Sequence, residues 1–157
     1  MLDLITDRTA QDVARRAALA KKGWANMSAS ERADWTSGSA AKGSYNYTDL
    51  NRVESAVDYL NKQLLACGYD TGIHDIRTWT AADVPTIGSM TRYLENIRAI
   101  REALPIIGTT PPVPASMANL TYSAANDIEA ILQSVEVLVH NMIASFTYCG
   151  EVFGGEI

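Results

Sequence analysis

The stretch Thr121-Tyr-Ser-Ala-Ala-Asn-Asp-Ile-Glu-Ala-Ile-Leu-Gln-Ser-Val-Glu-Val-Leu-Val-His-Asn-Met-Ile-Ala-Ser-Phe146 decides the fold. Within it Ile128, Ile131, Val135, Leu138 and Met142 recur at alternating intervals of three and four, while Ala125, Leu132, Val139 and Phe146 recur every seven. Side chains three, four and seven apart share one face of an α-helix, so the whole stretch reads as helix. Two adjoining seams make an apolar face wider than a single neighbour needs. Two arrangements fit that width. Either this helix is the central one of a bundle and touches helices on both sides, or one seam packs internally while Leu132, Val139 and Phe146 form an oligomer interface.

Upstream of this helix the same period recurs. Leu50, Val53, Val57, Leu60 and Leu64 step by threes and fours, as do Met90, Leu94, Ile97, Ile100 and Leu104. Start signals mark the helices: Thr9 with Asp12, Ser28 with Glu31 and Thr80 with Asp83 each place a carboxylate three residues after a hydroxyl, the pattern of a capping box. Thr48, Thr86 and Thr121 are further N-cap candidates, and Gly23, Gly38, Gly68 and Pro105 are stops. Helices are therefore expected at 9–22, 29–37, 49–67, 87–104 and 122–147, with a short helical turn at 80–84. Gly72 to Trp79 is the one candidate for extended chain, and nothing alternates long enough to pair as a sheet. Pro105-Ile-Ile-Gly-Thr-Thr-Pro-Pro-Val-Pro114 cannot be helical and reads as a polyproline-like strap. Its Ile106, Ile107 and Val113 argue that it lies on the body. The expected fold is all-α: a compact bundle of about five helices in a single domain spanning residues 1–157, with the strap ahead of a long C-terminal helix.

Composition is globular, with 47% hydrophobic and 20% charged residues. The formal net charge of −5 argues against nucleic acid as a partner. All 13 basic residues lie at or before Arg101, against 12 acids there, whereas 6 acids and no base follow. Any anion-binding role is thus confined to the first two thirds. Cys67 and Cys149 match no metal motif; they read as small buried hydrophobes, with a pairing between them left open. The start lacks a basic region and a long apolar run, and Val137 to Gly150 is too short to span a bilayer, so a soluble protein made in the cytoplasm, without a membrane span, is expected.

Residues that could carry chemistry are few. His74 beside Asp75 could be a base with an orienting carboxylate, but no nucleophile motif accompanies it, and His140 reads as a hydrogen-bonded packing residue. Ser39-Ala-Ala-Lys42 matches a short acyl-transfer pattern inside a small-residue loop, without companion motifs. Glu129 and Glu136 share a helix face that reads as a solvated stripe, and Asp49, Asn51 and Glu54 lack the spacing of a calcium loop. No catalytic, metal-binding or cofactor-binding residue is assigned, and no cofactor. The triplets Asn26-Met-Ser28, Asn46-Tyr-Thr48 and Asn119-Leu-Thr121 resemble glycan acceptors, yet each ends on a predicted N-cap, which accounts for them. Trp24, Trp35, Tyr45, Tyr47 and Tyr59 cluster among Lys21, Lys22, Arg32, Lys42 and Arg52. Packing between short helices is the reading favoured for them; a surface for single-stranded nucleic acid and an exposed sugar-binding platform are the alternatives.

The strings Lys22-Gly-Trp-Ala-Asn-Met-Ser-Ala-Ser-Glu-Arg-Ala-Asp-Trp35 and Gly43-Ser-Tyr-Asn-Tyr-Thr-Asp-Leu-Asn-Arg-Val-Glu54 carry a resemblance. Together with Thr6-Asp-Arg-Thr9 and Leu120-Thr-Tyr-Ser-Ala-Ala-Asn-Asp-Ile-Glu129, they resemble a recurrent domain of phage and prophage structural proteins from Gram-positive, often gut-dwelling, bacteria. The resemblance implies a non-enzymatic structural or adaptor part of a virion, tail- or fibre-associated, working through protein–protein contacts and carrying no catalytic residues. Its partners would be other virion or surface-assembly proteins, with a homo-oligomer possible in principle. The chain has none of the repeats that a fibre shaft needs. The expected contact surfaces are Trp24, Trp35, Tyr45 and Tyr47, and the face of Leu132, Val139 and Phe146; the tail Tyr148 to Ile157 could dock on a neighbour. The alternative is a carbohydrate- or cell-surface-binding module that uses exposed Trp and Tyr, and a third reading is an enzyme built on His74 and Asp75.

Overall fold

The computed structural model describes residues 1–73, 75–105 and 108–153, the last seven as backbone only. Among these the chain is all-α. α1 (Ala10–Lys22), a 3-10 turn (Trp24–Asn26), α2 (Ala29–Ser37) and α3 (Ser39–Lys42) form a small unit, and α4 (Tyr47–Ala66), α5 (Ile87–Glu102) and α6 (Tyr122–Phe153) form the body. The capping boxes at Thr9 and Ser28 are both made. α4 starts earlier than Thr48 because Asn46 is the cap: its side chain accepts from the Thr48 amide at 2.8 Å, while Asp49 accepts from the Asn46 amide at 2.9 Å. The second glycan-like triplet is thus explained by its asparagine and not by its hydroxyl. Ser39–Lys42, expected as a loop, is a turn of helix, held by the Asp34 carboxylate accepting from the Ala40 amide at 3.0 Å. Thr80 and Asp83 leave their capping box incomplete: the Thr80 amide and hydroxyl both donate to the Asp83 carboxylate, the Asp83 amide donates to the Thr80 carbonyl, and the chain makes only a turn. α4 ends where Gly68 takes φ +87°, and the Tyr69 and Gly68 amides reach the Leu64 and Leu65 carbonyls.

α4, α5 and α6 all run in the same direction. Arg52 near the start of α4 bonds Glu129 near the start of α6, and Leu60 and Val139 further along line one cleft. Thr86 and Ile87 at the start of α5 share a groove with Leu50 and Leu120 at the corresponding ends of α4 and α6. Neighbouring helices joined by short loops are antiparallel, so a parallel set needs a long return after each helix. The segments that read as extended chain are those returns. Residues 69–85 run back along α4, with Thr71 bonded to Asn61 and Trp79 bonded to Asn51. Residues 108–120 run back along α5, where Arg101 donates to the Pro111 and Thr110 carbonyls at 2.7 and 3.2 Å. Val113 lies against the core as expected, while Ile106 and Ile107 fall outside the described residues.

Two hydrophobic clusters result. The larger joins Val53, Leu60, Ile97, Ile128, Ile131 and Leu132 with Trp79, and the smaller holds Leu19, Met27 and Ala40 with Trp35 packed beside them. The α6 seams are both internal as far as Val139, as a central helix requires. No helix formed by the described residues is long and apolar enough to cross a membrane.

Candidate functional site

An extended arm, residues 1–8, runs antiparallel to α6. The Leu2 amide donates to Glu136 at 2.7 Å, the Ile5 amide to Glu129 at 2.6 Å, and the Arg8 amide to Asn126 at 3.0 Å. Three extended residues span about 10 Å, the rise of seven helical residues, so Leu2 and Ile5 match Glu136 and Glu129 in register. Glu129 is 0% exposed and Glu136 is also buried. The expectation of a solvated acidic stripe is therefore wrong: those carboxylates are acceptors for the arm's backbone.

Arg8 ends the arm inside the body. Its guanidinium donates to Asp49 at 2.9 Å, to Glu129 at 2.6 Å and to the Ile5 carbonyl at 2.7 Å. Arg52 closes the set from the other side, reaching Glu129 at 2.8 and 2.9 Å and Asp49 at 2.5 Å. Burial alone would lower the Arg52 pKa, but its bonds to Glu129 and Asp49 hold it above the ordinary value. Two cations balance two carboxylates, and every carboxylate has a guanidinium. Such a cluster is a clamp that ties the arm, α4 and α6 together. A second pair, Arg92 with Glu54 at 2.5 Å, pins the Trp79 return in the same manner, with the indole donating to Glu54 at 3.4 Å.

The aromatic residues divide. Trp24 is 51% exposed, with Arg32 stacked 5.3 Å from its ring centre, and Tyr47 is 43% exposed at the start of α4. Trp35 lies under Arg16 at 3.2 Å and packs on the smaller cluster. The Tyr45 hydroxyl meets that of Tyr93 at 2.6 Å, and burial pushes both phenols well above their ordinary pKa. Trp35 and Tyr45 are thus structural, and of the expected surface Trp24 and Tyr47 remain accessible. Leu132 and Val139 are core residues because α4 and α5 cover their seam, so they offer no contact surface. Phe146, on the same seam, is 61% exposed.

Comparison with protein-family models, curated proteins and solved structures finds no match. The chemistry must therefore be read from the chain alone. His74 lies outside the described residues; the Asp75 carboxylate is solvated and 3.4 Å from Arg92, while its backbone carbonyl accepts from Arg92 and Asn96. His140 stands exposed on α6, on the side turned from the seams, and is not the packing residue the sequence suggested. No group of three potential metal ligands occurs among the described residues. Cys67 carries a free, half-buried thiol, and the Cys149 side chain lies outside the described set, as does the tail from residue 154. A cavity of about 450 Å³ lies between α5 and the 115–120 return, lined by Tyr45, Leu50, Leu94, Met90, Met117 and Leu120 among others. It is a mainly apolar groove whose lining also includes Glu95 and Arg98 of α5.

The sequence offered one missed signal for the clamp. α6 carries Asp127, Glu129, Glu136 and Glu151 and no basic residue. Acids on a helix without an internal cation must find partners elsewhere or face water, and two of them sit beside the apolar seams.

Proposed function

We propose that this chain is a non-enzymatic structural or adaptor module that works by protein–protein contact, as a component of a phage or prophage particle associated with its tail or fibres. The observation that carries the contact reading is the register of Phe146. It continues the seam of Ala125, Leu132 and Val139, and it is the member of that seam that the chain's own helices leave uncovered. No charged residue occurs between Val137 and Gly150. An uncharged apolar helix end of this kind suits burial against another protein. The particle assignment draws on the resemblance, carried by residues 6–9, 22–35, 43–54 and 120–129 and running from about residue 6 to the C-terminus, and the partners are accordingly other virion or surface-assembly proteins. Mass spectrometry of particles purified after induction of a host carrying the gene tests it: the chain should be present at structural stoichiometry, and its absence would overturn the reading.

A sugar- or cell-surface-binding role draws on Trp24 and Tyr47, both of which are exposed. Glycan-array binding that disappears in Trp24→Ala with the fold intact would favour that role over the first.

A further inference from the structure

The arm holds on to the body in an unusual way. It pairs with no strand and forms no helix; its amides at Leu2, Ile5 and Arg8 are taken by the side chains of Glu136, Glu129 and Asn126, and Asn126 returns a bond to the Arg8 carbonyl at 2.9 Å. Leu2 and Leu4 pack at the margin of the main core. Beyond the arm, α1, α2 and α3 have their own small cluster, and no helix of that unit packs broadly on a helix of the body. The ion pairs Arg15–Asp34, Lys22–Glu31 and Lys42–Asp7 stay within residues 1–42, and those that cross to the body come from the arm: the Met1 amine with Glu136, and Arg8 with Asp49 and Glu129. Among the described residues, the hydrogen bonds joining residues 1–42 to the body come from Leu2, Ile5 and Arg8, apart from the local turn between Ser44 and Ala41. The covalent link is the short segment Gly43 to Tyr45.

We propose that the slot along α6 is an exchange site for a second copy of this chain: residues 1–42 of one copy seat on α4–α6 of the other, with Gly43 and Ser44 as the hinge. The occupant is specified by the slot. Its acceptors at Glu136 and Glu129 match extended amides three residues apart, Asn126 takes the next amide at Arg8, and Asp49 with Glu129 require an arginine there. The arm has that pattern. Exchange keeps every contact outside the hinge, so the two forms differ by the hinge and by the entropy of association, which concentration offsets. The hinge is short. A Cβ built at Gly43 would lie 2.1 Å from the Asp12 carbonyl oxygen, so the link between α3 and α4 passes directly over the α1 backbone. This proposal goes beyond the contact reading above and does not depend on it, because it uses a different surface from Phe146.

The test uses the full chain and a variant lacking Gly43 and Ser44. Two residues fewer should prevent arm and body of one copy from meeting, so the variant is expected at twice the monomer mass in sedimentation, with helical content preserved. Adding Arg8→Ala to it should return monomers. In parallel, the unaltered chain is held at millimolar concentration as an equal mixture of isotope-labelled and unlabelled copies, and isotope-filtered NOEs are recorded. Cross-copy NOEs from the Leu2 and Leu4 methyls to α6 methyls are the expected result. A folded monomer from the shortened variant, or a dimer without those NOEs, overturns the proposal. If the shortened variant fails to fold, the unaltered chain decides: a strict monomer at millimolar concentration overturns it equally.

Discussion

Arg8 and Glu129, 121 residues apart in the chain, meet at 2.6 Å with side chains 2% and 0% exposed. A charge buried this far is tolerated only when paired, and removing one partner strands the other in a medium that solvates it poorly. Glu129→Ala leaves Arg8 and Arg52 facing Asp49 alone and frees the Ile5 amide. We expect a loss of about 3–5 kcal/mol in urea unfolding. Arg8→Ala should cost a similar amount, and the double variant should cost much less than the sum. A double-mutant cycle with no coupling between these positions would contradict the clamp.

Asn51 makes two bonds to one residue of the return after α4. It donates to the Trp79 carbonyl at 2.8 Å and accepts from the Trp79 amide at 2.7 Å, acting as a one-residue substitute for a neighbouring strand. Asn51→Ala leaves both backbone groups without partners beside a buried indole. At about 1–3 kcal/mol for each stranded group, the expected loss is about 2–4 kcal/mol after partial rehydration. Hydrogen exchange distinguishes a local effect from a global one: the Trp79 amide should lose protection while Ile97 and Leu132 keep theirs. Equal loss at all three would mean that the return is part of the core's cooperative unit.

Several carboxylates titrate below their ordinary range. Bonds from Lys22 and then from the Ser28 backbone bring Glu31 to about 2, and Thr80 and Arg77 lower Asp83. Asp12 is lowered chiefly by Ser39, against a smaller opposing effect of burial. A carboxylate with a depressed folded-state pKa stabilises the fold above its unfolded value and loses that contribution as pH falls through the folded one. For Glu31 the window runs from its ordinary 4.5 down to about 2. The melting temperature of Glu31→Gln should therefore lie below that of the unaltered chain at pH 6, and the two should converge near pH 2. A difference independent of pH would mean that Glu31 acts only through the shape of its cap.

The helices were legible because their information is local. Apolar residues at three and four, hydroxyl caps and glycine stops act within one or two turns, and they locate the five long helices to within a few residues apart from the far end of α6. The direction of those helices was not legible, although its cause was present: Gly72 to Trp79 and the proline-rich stretch are each long enough to return the chain to the starting end. What no local pattern could supply is the meeting of Arg8 with Glu129 and Asp49, which depends on where three separate segments cross. Tyr45 and Trp35 pack, as their sequence neighbours favoured, but their partners Tyr93 and Arg16 depend on where separate segments cross.

Leu132 and Phe146 belong to one seam and differ in what covers them. Leu132 is enclosed by the body, so Leu132→Ala opens a cavity and should cost about 2–5 kcal/mol in unfolding. Phe146→Ser removes a ring that is already mostly in water, and its effect on unfolding should stay within about 0.5 kcal/mol. If the end of α6 is a contact surface, the ranking reverses when assembly is measured. Phe146→Ser should then reduce incorporation into purified particles by tenfold or more with melting unchanged, because an apolar anchor at the centre of an interface carries far more of the binding than its area suggests. Unchanged incorporation of Phe146→Ser would remove this face from the argument and leave the assembly contacts to Trp24 and Tyr47.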